Sequence, residues 1–285
     1  MLKTKKNILD QIILEGQKKR PELEPDLIDQ FFRMISKYFS LVFIRLKFTP
    51  NMITALAITA SIIGGFYLAQ GNTGGYLIAA LFFFLFLLFD YCDGEMARTM
   101  KMNSMSGHYL DYFAHFVMFA SFMVGLSYGI YKYHSTSTYL IIGFGGVVGI
   151  LLNSIAELLI SEVIIRENLR VKRRLPMSNQ DISYSVKSIT VNRPNMQNES
   201  TSLIKKISRI LIRPSGGDDI VFFYLPFSIF LFLFPSPIIS ELNIRLIDIY
   251  FFYLCSVNII LPFLKIYRNI SQQKLELAYW DVWND

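Results

Sequence analysis

The sequence predicts an all-α integral membrane protein with six transmembrane helices and an N-terminal interfacial amphipathic helix. Three observations predict it. Hydrophobic residues make up 53% of the 285 positions and gather in long unbroken blocks. Blocks of about 18 or more apolar residues with few charges have the length of a bilayer span. The Lys and Arg residues fall almost entirely in alternate connections between those blocks.

Taken in order, residues 1–51 form a charged, polar region with no cleavable leader, so the first span must direct insertion. Within it Leu27, Phe31, Met34, Ile35, Tyr38, Phe39, Val42 and Phe43 recur at spacings of three and four. Asp29, Arg33 and Lys37 fall between them, the pattern of an amphipathic helix lying in the membrane interface. Pro50 breaks the chain, and Thr49 or Asn51 can cap the next helix. The six spans are read at 52–69, 76–92, 108–131, 138–165, 219–239 and 246–267. The fourth is long enough to tilt or to project from the bilayer. Gly71–Gly75 and Lys132–Ser137 read as short turns. Residues 166–217 read as a long basic loop in which Leu203–Ile212 has the pattern of a short amphipathic helix, and residues 268–285 form a tail.

Of the 28 Lys and Arg residues, 26 fall on the side of the termini and the long loop; Lys132 and Arg245 alone fall on the other. The expected topology therefore puts both termini and the long loop in the cytoplasm, with the cell membrane as the location. The net charge of +6 suits lipid headgroups and phosphates, and no nucleic-acid module accompanies it. Cys92 and Cys255 both lie in apolar spans and read as buried, unpaired thiols.

The chemistry concentrates where the second span ends and the third begins. The second ends in Asp90-Tyr-Cys-Asp93-Gly94-Glu95-Met-Ala97-Arg98, and Gly107, Asp111 and His115 follow. A carboxylate at membrane depth is costly unless paired, solvated or metal-bound. Asp90 and Asp93 share one helix face, and Asp111 and His115 share another. Consecutive antiparallel spans bring those faces to one cavity at one end of the bundle. Clustered carboxylates repel one another, and divalent cations remove that repulsion; an oxygen-rich set suits Mg²⁺ or Mn²⁺, with two ions able to clamp a phosphoryl group. Gly94 and Gly107 admit a ligand close to the backbone, Ala97 allows close contact, and Arg98 offers a forked pair of donors to phosphate.

This pattern resembles the CDP-alcohol phosphotransferase (phosphatidyltransferase) family, whose motif is Asp-x2-Asp-Gly-x2-Ala-Arg-x8-Gly-x3-Asp-x3-Asp. Asp90, Asp93, Gly94, Ala97, Arg98, Gly107 and Asp111 match it with every spacing kept, and His115 stands where the last aspartate is usual. Thr49-Pro50-Asn51-Met-Ile-Thr54 is similar to the family's entry to its first span. The resemblance implies a six-span domain over 52–267, with a two-ion site at Asp90, Asp93, Asp111 and His115. It implies donor contacts from Asp90, Gly94, Ala97, Arg98 and Gly107. A CDP-alcohol donor, a hydroxyl acceptor and a homodimer are its implied partners, and Asp111 and His115 its implied catalytic pair.

His115 leaves three readings open. It serves an active enzyme as general base or metal ligand, it marks a non-catalytic homologue that binds a CDP-linked lipid or a protein, or another residue supplies the base. Other polar residues take plainer readings. Asn153 bonds a neighbouring helix and Glu162 lies at the interface, whereas Glu157 has a second reading as an acceptor contact. Asp218 and Asp219 cap the fifth span, and Arg213 and the basic run from Arg170 to Arg174 belong to a solvated loop. His108 and His134 read as interfacial. A transporter is disfavoured, because its site would lie near mid-membrane on broken helices.

Overall fold

The computed structural model describes residues 8–17, 27–174, 219–233 and 244–271, and every element among them is a helix. A short helix α1 (Ile8–Gln11) continues as a π-helical turn over Ile12–Gly16. It is followed by α2 (Leu27–Arg45), α3 (Pro50–Leu68), α4 (Thr73–Thr99), α5 (Met105–His134), α6 (Thr138–Arg174), α7 (Asp219–Leu233) and α8 (Leu246–Ser271). Five of them contain segments long and apolar enough to cross a membrane: Pro50–Leu68, Thr73–Thr99, Met105–His134, Thr138–Ala156 and Leu246–Tyr267. The remaining expected span appears as the shorter apolar helix α7, and residues 234–239 lie outside the described part. Phe66, Ile141, Phe144 and Phe263 are each more than 60% exposed on these helices, which is the surface a lipid bilayer covers. The chain is an all-α, multi-pass integral membrane protein.

Local chemistry sets the helix boundaries. Thr49 caps α3, its hydroxyl accepting from the Met52 N–H, and Pro50 occupies the first turn, where no N–H is needed. Asn72 caps α4 through the Gly75 N–H at 2.7 Å, after Gly71 has reversed the chain with φ +73°. Ser104 caps α5 through the Gly107 N–H at 3.0 Å. The helix that carries the fourth expected span, α6, runs on to Arg174 over 37 residues, so residues 166–174 of the expected loop continue it, while its segment long and apolar enough to cross a membrane is Thr138–Ala156. Lys and Arg are good helix formers, and a helix of that length outruns a bilayer of about 30 Å, so its charged turns need not lie in lipid. The expected helix at 203–212, Arg213 and Asp218 lie outside the described residues, as does the side chain of Glu157.

The chain divides into two units. The first comprises residues 1–147 and 213–256, the second residues 148–212 and 257–285. In the first, α3, α4 and α5 form the core, and α2 packs on α4. α3 and α5 approach so closely that a Cβ on Gly125 would run into the Gly65 carbonyl and one on Gly129 into the Leu68 carbonyl, as small residues allow between membrane helices. Phe83 and Phe122 meet edge to face with centroids 5.1 Å apart, and Phe122 meets Tyr224 of α7 in the same way at 5.0 Å. In the second unit the Lys265 ammonium donates to Asn153 Oδ1 at 3.1 Å, the helix-to-helix bond expected of Asn153, and Glu162 is exposed.

At the end of the first unit that carries Gly71, a buried polar cluster joins α5, the start of α8 and the turn between α3 and α4. Asp248 accepts from the Arg245 backbone N–H at 2.8 Å and from its guanidinium at 3.2 Å, and lies 3.0 Å from His134 Nε2. Arg245 also donates to the Gly71 carbonyl and stacks 3.5 Å over the Tyr133 ring. His134, at the last turn of α5, is thus tied to α8 through Asp248. Removing Asp248, which is 1% exposed, would strand a buried guanidinium. Asp248→Ala is expected to cost about 3–5 kcal/mol, read as a lowered melting temperature in detergent.

Candidate active site

The site is built at the opposite end of α3, α4 and α5. Asp90 and Asp93 stand on the last turns of α4, and Asp111 and His115 on the first turns of α5. Two antiparallel helices joined by residues 100–104 bring them together. His115 Nε2 lies 3.1 Å from Asp90 Oδ1 and 3.6 Å from Asp111 Oδ1. Ligand-capable atoms of Asp90, Asp111 and His115 all fall within 4.8 Å of one another. All three side chains are partly exposed, and the Phe86 ring meets the imidazole edge to face at 5.5 Å.

Asp93 faces elsewhere. Three residues along a helix amount to a rotation of about 300°, which leaves Asp93 some 60° around the axis from Asp90. Its carboxyl is 8% exposed and accepts from the Thr54 hydroxyl of α3 at 2.6 Å. It opens on a cleft that Asp111 also lines, together with Gly94, Ala97, Arg98 and Gly107. Asp90 and His115 form the adjoining trio with Asp111, so Asp111 belongs to both groups. Every sequence-identified site residue thus lies in the trio, in the cleft or in both.

The cleft has further walls that the residue pattern did not single out. Asn51 and Thr54 come from the first turns of α3, and Asn103 and Ser104 from the connection before α5. His108, read as interfacial, is exposed and also lines the cleft. A Cβ on Gly107 would approach Ser104 Oγ and Asn51 Oδ1 at 3.1 and 3.4 Å, so this glycine keeps the cleft wall open between two polar groups. The Thr49-to-Thr54 entry to α3 was the available signal for Asn51 and Thr54. Glu95, at an unspecified motif position, proves to be 1% exposed and bonded to Ser36, Ser40 and Gln17. Cys92 and Cys255 are free and buried, as expected.

The trio of Asp90, Asp111 and His115, two carboxyl groups and one imidazole that are all partly exposed, could hold a divalent cation, with the buried Asp93 carboxyl on the adjoining cleft wall. Such a cluster at the end of membrane helices needs a positive partner, because like-charged carboxylates held this close oppose one another.

The CDP-alcohol phosphatidyltransferase family profile matches residues 47–178, a stretch that opens just before α3 and contains both halves of the acidic cluster. No curated protein matches the chain. The cluster, the cleft beside it and the helices that carry them all lie inside that stretch, so it is over the site itself that the chain is similar to the CDP-alcohol phosphatidyltransferase family.

Proposed function

We propose that this protein moves a substituted phosphate from a CDP-alcohol, either CDP-diacylglycerol or a smaller CDP-alcohol, to an acceptor hydroxyl with release of CMP. The observation that carries the reading is the convergence of Asp90, Asp111 and His115 within 4.8 Å beside a cleft lined by Asp93, Gly94, Ala97, Arg98 and Gly107. Asp90, Asp93, Asp111 and His115 would hold Mg²⁺ or Mn²⁺, two ions in full occupancy. When bound, the metal neutralises the carboxyl cluster and draws charge from the phosphate oxygens.

The chain's own residues do the rest. Gly94, Ala97 and Gly107 leave backbone-lined room for the nucleotide, and Arg98 offers its guanidinium to a phosphate. The acceptor oxygen attacks the phosphorus that carries the alcohol, and a new O–P bond forms. The bond from that phosphorus to the bridging oxygen breaks, and CMP leaves with the electron pair. The acceptor's proton passes to a base at the trio; His115, with Nε2 between two carboxyl groups, is well placed for it. Asp111 orients the imidazole and shares the cleft.

The charge asymmetry of the sequence supports a site facing the cytoplasm at the cell membrane, because the acidic cluster lies at the end of α4 and α5 that adjoins Arg98 and Lys101. The homodimer remains an implication of the family resemblance. A non-catalytic homologue is the second reading, favoured by histidine at position 115. One experiment separates the two: purified protein with Mg²⁺ or Mn²⁺ is given a panel of CDP-alcohols and hydroxyl acceptors. CMP and the new phosphodiester are expected in equal amounts. Binding of the donors with no CMP across the panel would favour the non-catalytic reading.

A further inference from the structure

Outside the motif's own residues, the most heavily bonded carboxyl group near the cleft is that of Glu95. It sits on α4 one turn before Arg98 and is 1% exposed. Its Oε1 accepts from the Ser36 hydroxyl at 2.6 Å and from Gln17 Nε2 at 2.9 Å, and its Oε2 accepts from the Ser40 hydroxyl at 2.7 Å. Ser36 and Ser40 are fully buried on α2. A buried carboxyl is tolerated only when its oxygens are bonded, and these donors come from two elements N-terminal to the spans.

The Gln17 contact reaches the cleft. Gln17 Nε2 also donates to the Arg33 carbonyl at 2.7 Å, and Arg33 Nη1 donates back to the Gln17 carbonyl. The preceding residue, Gly16, lies so close to α4 that a Cβ there would run into Glu95 O and Thr99 Oγ1. Its carbonyl accepts from Arg98 Nε at 2.5 Å. Ile12 of the same segment is fully buried. Arg98 lines the cleft, with Nη1 only 3.1 Å from where a Cβ on Gly94 would stand. Nε is tied to Gly16, and the Nη edge of the guanidinium lies along the Gly94 wall.

We propose that Glu95 is a positioning residue for the donor phosphate: by holding Gln17 it docks the Ile8–Gln17 segment on α4, and the Gly16 carbonyl then fixes the Arg98 guanidinium in the cleft. The inference rests on reading the cleft as the CDP-donor site. It assigns residues 8–17 a part in shaping the binding site through Arg98, although they precede the family-matched stretch by some thirty residues. An arginine held by its Nε loses little freedom when a phosphate binds its Nη edge, so releasing the segment weakens the ground state and the transition state alike.

Two readouts on the full-length protein in detergent test this. The first is the rate of Arg98 modification by phenylglyoxal, followed by peptide mass spectrometry, with the buried Arg245 at the other end of the bundle as internal control. Glu95→Gln is expected to raise the rate at Arg98 several-fold and leave Arg245 unchanged; no rise would overturn the proposal whatever the ligand. The second is the affinity for CDP. Glu95→Gln is expected to weaken it by roughly tenfold, the scale of one lost charged hydrogen bond. In an Arg98→Ala background the same change should add nothing, because the effect runs through Arg98. A full additional loss in that background, or faster Arg98 modification with CDP affinity intact, would also overturn it. If Glu95→Gln proves unstable, Gln17→Ala keeps both serine bonds and is expected to shift both readouts the same way. Wild type that binds no CDP would sink the donor-site reading, while the phenylglyoxal arm would still decide whether Glu95 fixes Arg98.

Discussion

Asp111→Asn is expected to lower the rate of CMP release by about a thousandfold or more, while the protein stays folded. Each tenfold corresponds to about 1.4 kcal/mol of barrier, so the change asks for roughly 4 kcal/mol. Asp111 can be held to that because it has two places at once, in the trio with Asp90 and His115 and on the wall of the cleft beside Asp93. The amide keeps the shape but loses the charge that offsets a dication, and it presents one oxygen where the carboxylate presented two. The side chain is partly exposed, so little of the core depends on it. A melting temperature within a few degrees of wild type, together with the lost rate, separates a chemical role from a folding one. Asp111→Asn with near-normal turnover would remove Asp111 from the reaction.

His115→Ala is expected to lower the rate by roughly 10²–10⁴-fold, the usual worth of a general base. His115→Asp, which restores the motif's usual residue, is expected to keep activity. The geometry adds a second signature. In wild type the imidazole stands between Asp90 and Asp111, at 3.1 and 3.6 Å. A third carboxylate there has no proton to share and repels the other two. The Asp variant should therefore lose thermal stability without metal and regain more than wild type does when Mg²⁺ is added. Equal stabilisation of both proteins by Mg²⁺ would place residue 115 outside the metal's reach. Unchanged turnover in His115→Ala would remove it as base.

Much of this site was legible because its geometry is local. Asp111 and His115 are one helical turn apart, and the two halves of the motif flank a connection too short to separate them. Spacing alone says less about Asp93. A spacing of three puts it on the same broad face as Asp90, yet the remaining rotation turns its carboxyl onto Thr54 of another helix. Periodicity shows which way a side chain leaves its own helix, not which neighbour it meets. Glu95 was invisible for a stronger reason: its donors lie 55 to 78 residues away, and Ser36 and Ser40 sit within a segment read as an interfacial helix. That segment does have the expected helical pattern, and Phe31, Met34 and Tyr38 remain exposed. Its opposite face is committed to α4, where Phe32 is fully buried and stacks on Tyr91 at 5.1 Å. His134 likewise met a partner 114 residues away. The helix of α6 continues past the apolar segment to Arg174, because hydropathy marks where a span ends and not where a helix does, and Lys and Arg sustain helices well.

On the proposed function, the carboxyl and imidazole groups at the ends of α4 and α5 form one divalent-metal site beside a cleft for the nucleotide. Mn²⁺ binding to the purified protein in the presence of CDP, followed by electron paramagnetic resonance of the free ion, tests it most directly. Wild type is expected to remove Mn²⁺ from solution with higher affinity when CDP is present, and Asp90→Asn and Asp111→Asn should each abolish that gain. Mn²⁺ binding that ignores both CDP and these substitutions would contradict the claim.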